Sequence, residues 1–428
     1  MNTDRDMTKG SRLWAREMLF TALLFLFVYN LVFAKAPQLS GGRIALVGLI
    51  AAYPALVRER WSLFFRSYSV TVWSLVGIGA YSAILSFFSG DWGQTSRLAH
   101  FLLLSVFGAV AWAAVEEGWS DSPAESFVRR FAIVATIQSI LIFVSLFSPA
   151  FRVLVSELLV RGGNINLLSA LRPSGFSNSG GAALSVVQAL GVYAAGATAS
   201  RSRNKAPWLL SALICGLASA INGRTGLLMF VAAVPISLLA ASKARWSLTR
   251  NVAIGVVLIL AVSPFAVTKF RENVPEGDAI ITSAEEIFVE GSGTASWQNL
   301  SGMAIPPITD DTFAGTGRVG GEYGNPSGHD SGYVQTYYAL GIPMTALFYC
   351  ALLSLCFGLV LRVEGDGRVL LQWLVLVMFV IEAKEPFVFK YALPFFIFAR
   401  AWAGTSKKYP RSLVASRVSV GYPVGTSI

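Results

Sequence analysis

The chain has 428 residues, 54% of them hydrophobic and 14% charged, with a net charge of +10. A mean hydropathy of +0.59 excludes a single water-soluble domain, because the apolar surface exceeds what one aqueous core buries. An all-α, polytopic membrane protein is predicted.

Apolar runs follow one another at roughly 19–34, 43–57, 68–88, 98–115, 127–151, 180–200, 207–221, 225–241, 250–268, 332–361, 369–381 and 386–403. They give about twelve transmembrane helices of the ~17 to 25 residues a bilayer requires, three or four of them short. The expected organisation is an N-terminal segment over 1–18, helices 1 to 9 over 19–268 with an outer segment at 152–179, and a large outer loop over 269–331. Helices 10 to 12 then fill 332–403, and 404–428 form a tail.

Lys and Arg in short connections are retained on the cytoplasmic side. With the N-terminus inside, the dense basic clusters fall on that face: Arg5 to Arg16, Arg58 to Arg66, Arg129 and Arg130, Arg201 to Lys205, Lys243 to Arg250, Arg362 and Arg368, and Lys407 to Arg417. Topology therefore accounts for the positive charge, and no nucleic acid is expected as a partner. The basic N-terminal segment reads as a retained signal anchor. Cys215, Cys350 and Cys356 fall in apolar runs and offer neither a disulfide framework nor a metal spacing. The polar tail after Pro410 is expected to be disordered.

The inner connections are too short for a nucleotide-binding domain, so an energy-rich substrate has to arrive from the membrane or the outer side. The outer loop carries Pro275, Pro306, Pro307 and Pro326 among many glycines, which predicts short helices and tight turns over the membrane. Long loops of this kind usually carry function.

Three residues stand out on the outer face. Arg172 opens Arg172-Pro173-Ser174-Gly175-Phe176-Ser177-Asn178, Arg224 lies in the tight Asn222-Gly223-Arg224-Thr225-Gly226 turn, and His329 begins His329-Asp330-Ser331-Gly332-Tyr333. The bland alternatives are an arginine that snorkels to lipid phosphates and an incidental interface histidine. For Arg43, Arg97, Arg152, Arg161, Lys269 and Arg271, also outside, the bland alternative is preferred.

In order and sidedness these motifs, with Trp297, Phe313-Ala314-Gly315-Thr316-Gly317 and Gly341, resemble those of the O-antigen ligase and Wzy-type polysaccharide polymerase superfamily. The resemblance covers about residues 170–345. It implies a GT-C-like glycosyltransferase of the bacterial inner membrane, acting at the periplasmic face on glycans linked to undecaprenyl diphosphate, with both termini cytoplasmic. Arg172 and Arg224 are then expected to bind the diphosphate, since the guanidinium fork pairs with phosphate oxygens and stays charged. His329 is expected near the acceptor hydroxyl as a base, an orienting group or a cationic contact. Asp330 is a candidate to fix its tautomer, and Asn178 and Tyr333 belong to the same motifs as substrate-binding candidates.

Two departures from the family pattern matter. Ser292 to Ser296 stand where many members have an arginine before the loop tryptophan, leaving Arg318 a substitute by location alone. Asp330 follows the histidine and Gly341 comes twelve positions after it, which favours a polymerase over a ligase that hands a finished glycan to lipid A core or protein.

Glu382, Lys384, Glu385 and Lys390 cluster at the outer end of the last spans, either bridged to one another or contacting sugars. Asp310, Asp311, Glu322 and Tyr323 read as solvated loop surface. No cofactor and no metal are expected. The expected partners are the lipid-linked donor and acceptor, the bilayer, a chain-length regulator and a flippase. A flippase or other transporter is the alternative of another class, but it calls for mid-bilayer charges and an internal repeat.

Overall fold

In the computed structural model the described residues are 3–160, 173–177, 180–223, 225–226, 229, 302–319 and 326–405, with the side chains of 3–14 and 366 outside the description. The expected spans at 225–241 and 250–268, most of the loop 269–331 and the tail lie outside the described residues.

The described chain is helical and contains no strand; two isolated bridges, Val32 to Ser40 and Phe33 to Leu159, tie loops at one end. Its helices, numbered along the described residues, are α1 (Thr3–Tyr29), α2 (Gly41–Ala52), α3 (Pro54–Ser89), α4 (Gly93–His100), α5 (Gly108–Trp119), α6 (Pro123–Phe147) and α7 (Pro149–Leu158). They continue with α8 (Gly181–Arg201), α9 (Ala206–Asn222), α10 (Asp310–Ala314), α11 (Gly332–Leu340), α12 (Ile342–Val360), α13 (Asp366–Glu382) and α14 (Ala392–Thr405). A π-helical stretch, Phe101–Phe107, joins α4 to α5 without a break.

Among the described residues five helices are long and apolar enough to cross a membrane: Pro54–Ser89, the continuous Gly93–Trp119, Pro123–Phe147, Gly181–Arg201 and Ile342–Val360. The shorter Gly41–Ala52 and Ala206–Asn222 are also apolar. Proline in the first turn starts α3, α6, α7, α9 and α12, where its missing N–H costs nothing. Large apolar side chains such as Val70, Trp73, Phe87 and Phe88 face outward, as lipid contact requires. Inside, Phe27, Trp112, Phe127, Phe131, Phe395 and Phe396 pack edge-on and tilted between α1, α5, α6 and α14.

Several apolar runs end differently from the sequence expectation. The runs 43–57 and 68–88, expected as separate spans around a basic connection, are divided at Tyr53 instead: α3 begins at Pro54 and continues through Arg58, Arg60 and Arg66 with a kink at Tyr68. The run 127–151 stops at Phe147, because Ser148 and Pro149 begin α7, with Ser148 Oγ accepting from the Phe151 amide at 3.2 Å. The run 332–361 is two helices, not one. Gly341, at φ +80°, separates α11 from α12, and a Cβ there would stand 2.3 Å from the Phe313 carbonyl oxygen. The loop segment 313–319 docks at this break: the Thr316 and Gly317 amides donate to Tyr338 and Ala339 at 3.0 and 2.9 Å, and Tyr81 donates to the Ala314 carbonyl.

Contacts sort the helix ends into two sets. Arg16 bonds Tyr53 and stacks on Trp119, Arg60 pairs with Glu117, and Arg130 pairs with Glu116 and Glu17; this is the end the basic clusters mark as inner. At the opposite end stand Asn30, Ser89, His100, His329 and Lys390.

Candidate functional site

Arg172, Arg224 and Asn178 lie outside the described residues, but their flanks are ordered against named partners. In the first motif Gln138 Nε2 donates to the Ser174 carbonyl at 2.6 Å. Gly175, at φ +52°, passes so close to α6 that a Cβ would lie 3.0 Å from the Ile142 nitrogen. Gln138 has its own brace nearby, since Ser139 Oγ donates to Gln188 Oε1 at 2.6 Å and Gln188 donates to the Tyr29 hydroxyl at 3.1 Å.

The second motif presses on α8. Ser219 Oγ donates to the Ser185 carbonyl at 2.8 Å and the Gly226 amide to Ser185 Oγ at 3.0 Å. A Cβ at Gly226 would meet Ser185 backbone atoms at 2.4 Å, which explains the small residue there. Lys384 Nζ donates to Thr225 Oγ1 at 3.3 Å, so this turn touches the charged cluster before α14.

Between these elements is an open cavity of about 260 Å³, lined by Asn30, Ser96, Arg97, His100, Ser177 and Lys390 over a wall of apolar residues that includes Leu184 and Val187. Arg97 and His100 reach it together because α4 puts positions three apart on one face. His100 Nδ1 donates to the Ser96 carbonyl at 2.8 Å, which leaves Nε2 to accept from Arg43 at 2.9 Å. Lys390 pairs with Glu385 and lies 4.5 Å from the Phe387 ring centroid. The cavity wall thus combines guanidinium, ammonium, imidazole and hydroxyl groups with an apolar side, a composition suited to an anion attached to a lipid.

Arg97 Nη1 also donates to Gln335 Oε1 at 3.1 Å, and Gln335 Nε2 donates to the carbonyls of His329 and Asp330 at 3.3 and 3.0 Å. One amide therefore joins the cavity arginine to the His329 loop. His329 itself is buried, and its Nδ1 accepts from the Ser331 amide at 3.0 Å. A backbone N–H can only donate, so the neutral ring carries its proton on Nε2. The group that fixes the tautomer is thus the Ser331 amide, while Asp330 is exposed.

Glu382 is fully buried and accepts from Tyr349 Oη at 2.9 Å and from the Val388 amide at 2.8 Å. It packs under the first residue of α11: a Cβ at Gly332 would be 2.3 Å from Glu382 Oε1. A carboxylate at a helix N-terminus is favoured by the helix dipole, so Glu382 anchors the helix that follows the histidine loop. Tyr333 spends its hydroxyl on the Phe379 carbonyl at 2.7 Å. Arg318 is exposed, beside the segment that docks on α3, and does not line the cavity. Asp310 and Asp311 are exposed in the first turn of α10, in agreement with the surface reading, while Trp297, Glu322 and Tyr323 lie outside the described residues.

The sequence alone gives Arg97 the bland alternative and does not single out His100. The available signal was an arginine and the chain's other histidine three positions apart at the mouth of an apolar run, a spacing that puts both on one helical face. Among the described residues no group of three His, Cys, Asp or Glu side chains is arranged to hold a metal ion. No family model matches the chain, and no curated protein matches it.

Proposed function

We propose that the protein is an inverting membrane glycosyltransferase that polymerises undecaprenyl-diphosphate-linked repeat units at the periplasmic face of the bacterial inner membrane. The single observation that carries this reading is the cavity: Arg97, His100 and Lys390 surround a space that borders both Ser177 of the first arginine motif and an apolar wall. The motif resemblance over 170–345 gives the reaction, and the cation-lined cavity gives a receptor for its leaving group.

In this scheme the acceptor hydroxyl oxygen attacks the anomeric carbon as the bond to the diphosphate oxygen breaks, and the hydroxyl proton is released to water at the membrane surface. Negative charge grows on the departing diphosphate, and fixed guanidinium groups stabilise it there. Arg97 takes the place of the third cation for which Arg318 was the sequence candidate, beside Arg172 and Arg224. His329, with its proton on Nε2, acts as a hydrogen-bond donor to the departing group or to the sugar in preference to acting as the base. Gln335 and Glu382 are positioning residues that hold the His329 loop in register with Arg97.

Reconstitution tests the proposal. Purified protein in vesicles, given synthetic lipid-diphosphate-linked repeat units without nucleotide or metal, is expected to yield a polymer ladder, and Arg97→Ala and His329→Ala to yield none. Wild-type protein that leaves such units unextended overturns the polymerase assignment. Cells lacking the protein separate the ligase: single repeat units accumulate if it is a polymerase, and long chains on the carrier if it is a ligase.

A further inference from the structure

One wall of the cation-lined cavity is the C-terminal end of α1, where Val28, Tyr29 and Asn30 border the space. A helix C-terminus carries unsatisfied carbonyls and the negative pole of the helix dipole, so left bare it would repel an anion. Two side chains reverse the polarity of this wall. The Tyr391 hydroxyl, just ahead of α14, donates across the Phe27 and Val28 carbonyls at 2.6 and 2.9 Å. The second side chain is Asn30, which ends the helix.

At φ +43°, Asn30 is the one non-glycine among the described residues with a left-handed backbone. Its Oδ1 accepts from the Gly42 amide at 3.1 Å, in a fit so close that a Cβ at Gly42 would stand 2.9 Å from that oxygen. A backbone N–H can only donate, so the oxygen of the side-chain amide faces Gly42 and the NH2 group is turned away from it. Asn30 lines the cavity with Arg97, His100 and Lys390, and what its amide offers there is a donor. The helix end does not by itself require asparagine. Glycine takes a left-handed turn without strain, and aspartate both tolerates that region and accepts from an amide. Neither would put a side-chain N–H on the cavity wall.

We propose that Asn30 is a substrate-binding residue that selects for the charged end of the lipid carrier: Nδ2 donates to a diphosphate oxygen while Oδ1 stays on the Gly42 amide. The inference rests on the reading of the cavity as the diphosphate site. It adds a neutral donor, fixed in direction by the fold, on the side of the cavity opposite in origin to the cations of α4.

Native mass spectrometry of the full-length protein in detergent, titrated with undecaprenyl diphosphate or with undecaprenol, tests the assignment. The two probes share one chain and differ in charge, so the ratio retained reads the anion site and not the amount of folded protein. Wild type is expected to prefer the diphosphate. Asn30→Asp keeps the acceptor for Gly42 and replaces the donor by a carboxylate, and it is expected to cut that preference by about tenfold or more, the effect of a lost hydrogen bond to a charged group. Asn30→Gly keeps the left-handed turn and removes the amide without adding charge; it is expected to cut the preference by up to about tenfold, and it decides the matter if Asn30→Asp fails to fold. Undecaprenol binding should be unchanged in both variants. An unchanged diphosphate preference in either folded variant, with wild type still selective, overturns the role of Asn30 and leaves the cavity reading standing. Equal retention of both probes by wild type overturns the cavity reading and this inference with it.

Discussion

At the end of the bundle near the first basic clusters Arg130 is clasped by Glu116 and Glu17 and Arg60 by Glu117, whereas at the opposite end Arg97 donates to a neutral amide and borders a cavity. The two ends hold cations of the same chemical type and use them differently. A carboxylate partner neutralises the guanidinium and ties helices together. An amide partner fixes its direction and leaves its charge in place. The comparison separates arginines that hold the fold from arginines that are available to a ligand.

Substitutions at four positions break or sharpen that contrast. The largest effect is expected from Arg130→Ala, which strands the buried Glu116 and lowers stability by about 3–5 kcal/mol; thermal unfolding in detergent measures it, while transfer per folded molecule stays near wild type. A wild-type melting temperature for this variant would remove the structural half of the comparison.

Arg97→Ala is expected to do the reverse, cutting transfer by ~10²–10³-fold, the usual loss when one fixed donor to a developing charge is removed. Its melting temperature should move less than that of Arg130→Ala, and Arg97→Lys should restore only part of the rate, because the ammonium lacks the planar fork. Unimpaired transfer by Arg97→Ala would make the outer cation as structural as the inner ones.

Gly332→Ala pushes a methyl group against the Glu382 carboxylate, and the cost of such overpacking is about 1–3 kcal/mol. The shift is passed to the His329 loop, so transfer should fall while binding of the lipid-linked donor, read by native mass spectrometry, changes little. The smallest effect is expected from Glu385→Gln. It breaks a partly exposed pair with Lys390, worth no more than about 1 kcal/mol, and at the cavity it should strengthen donor binding slightly by freeing the ammonium. Weaker donor binding would show that Lys390 needs its partner for position.

Much of this arrangement is legible in the chain. The helical character of residues 68–88, 127–147 and 181–200 follows from apolar length, whereas α3 also takes in Pro54 and the basic stretch 58–66, which composition alone reads as a connection between two runs. The cluster at 382–390 is visible as charge beside apolar helix, and of its two alternatives the bridged one holds for Lys390 and Glu385. The split at Gly341 was not legible, because it depends on a loop segment from residues 313–319 docking at that point. Arg97 was dismissed for the same kind of reason: its significance comes from Gln335 and Ser177, which are far away in sequence.

The sequence by itself determined the solvent and the helical class, because each depends on composition or on spacing within one segment. Only the tertiary structure decided which cations are neutralised by a described carboxylate and which ring nitrogen of the neutral His329 carries the proton. Those properties belong to pairs of groups, and an arginine is the same residue in the sequence whether a carboxylate or an amide stands opposite it.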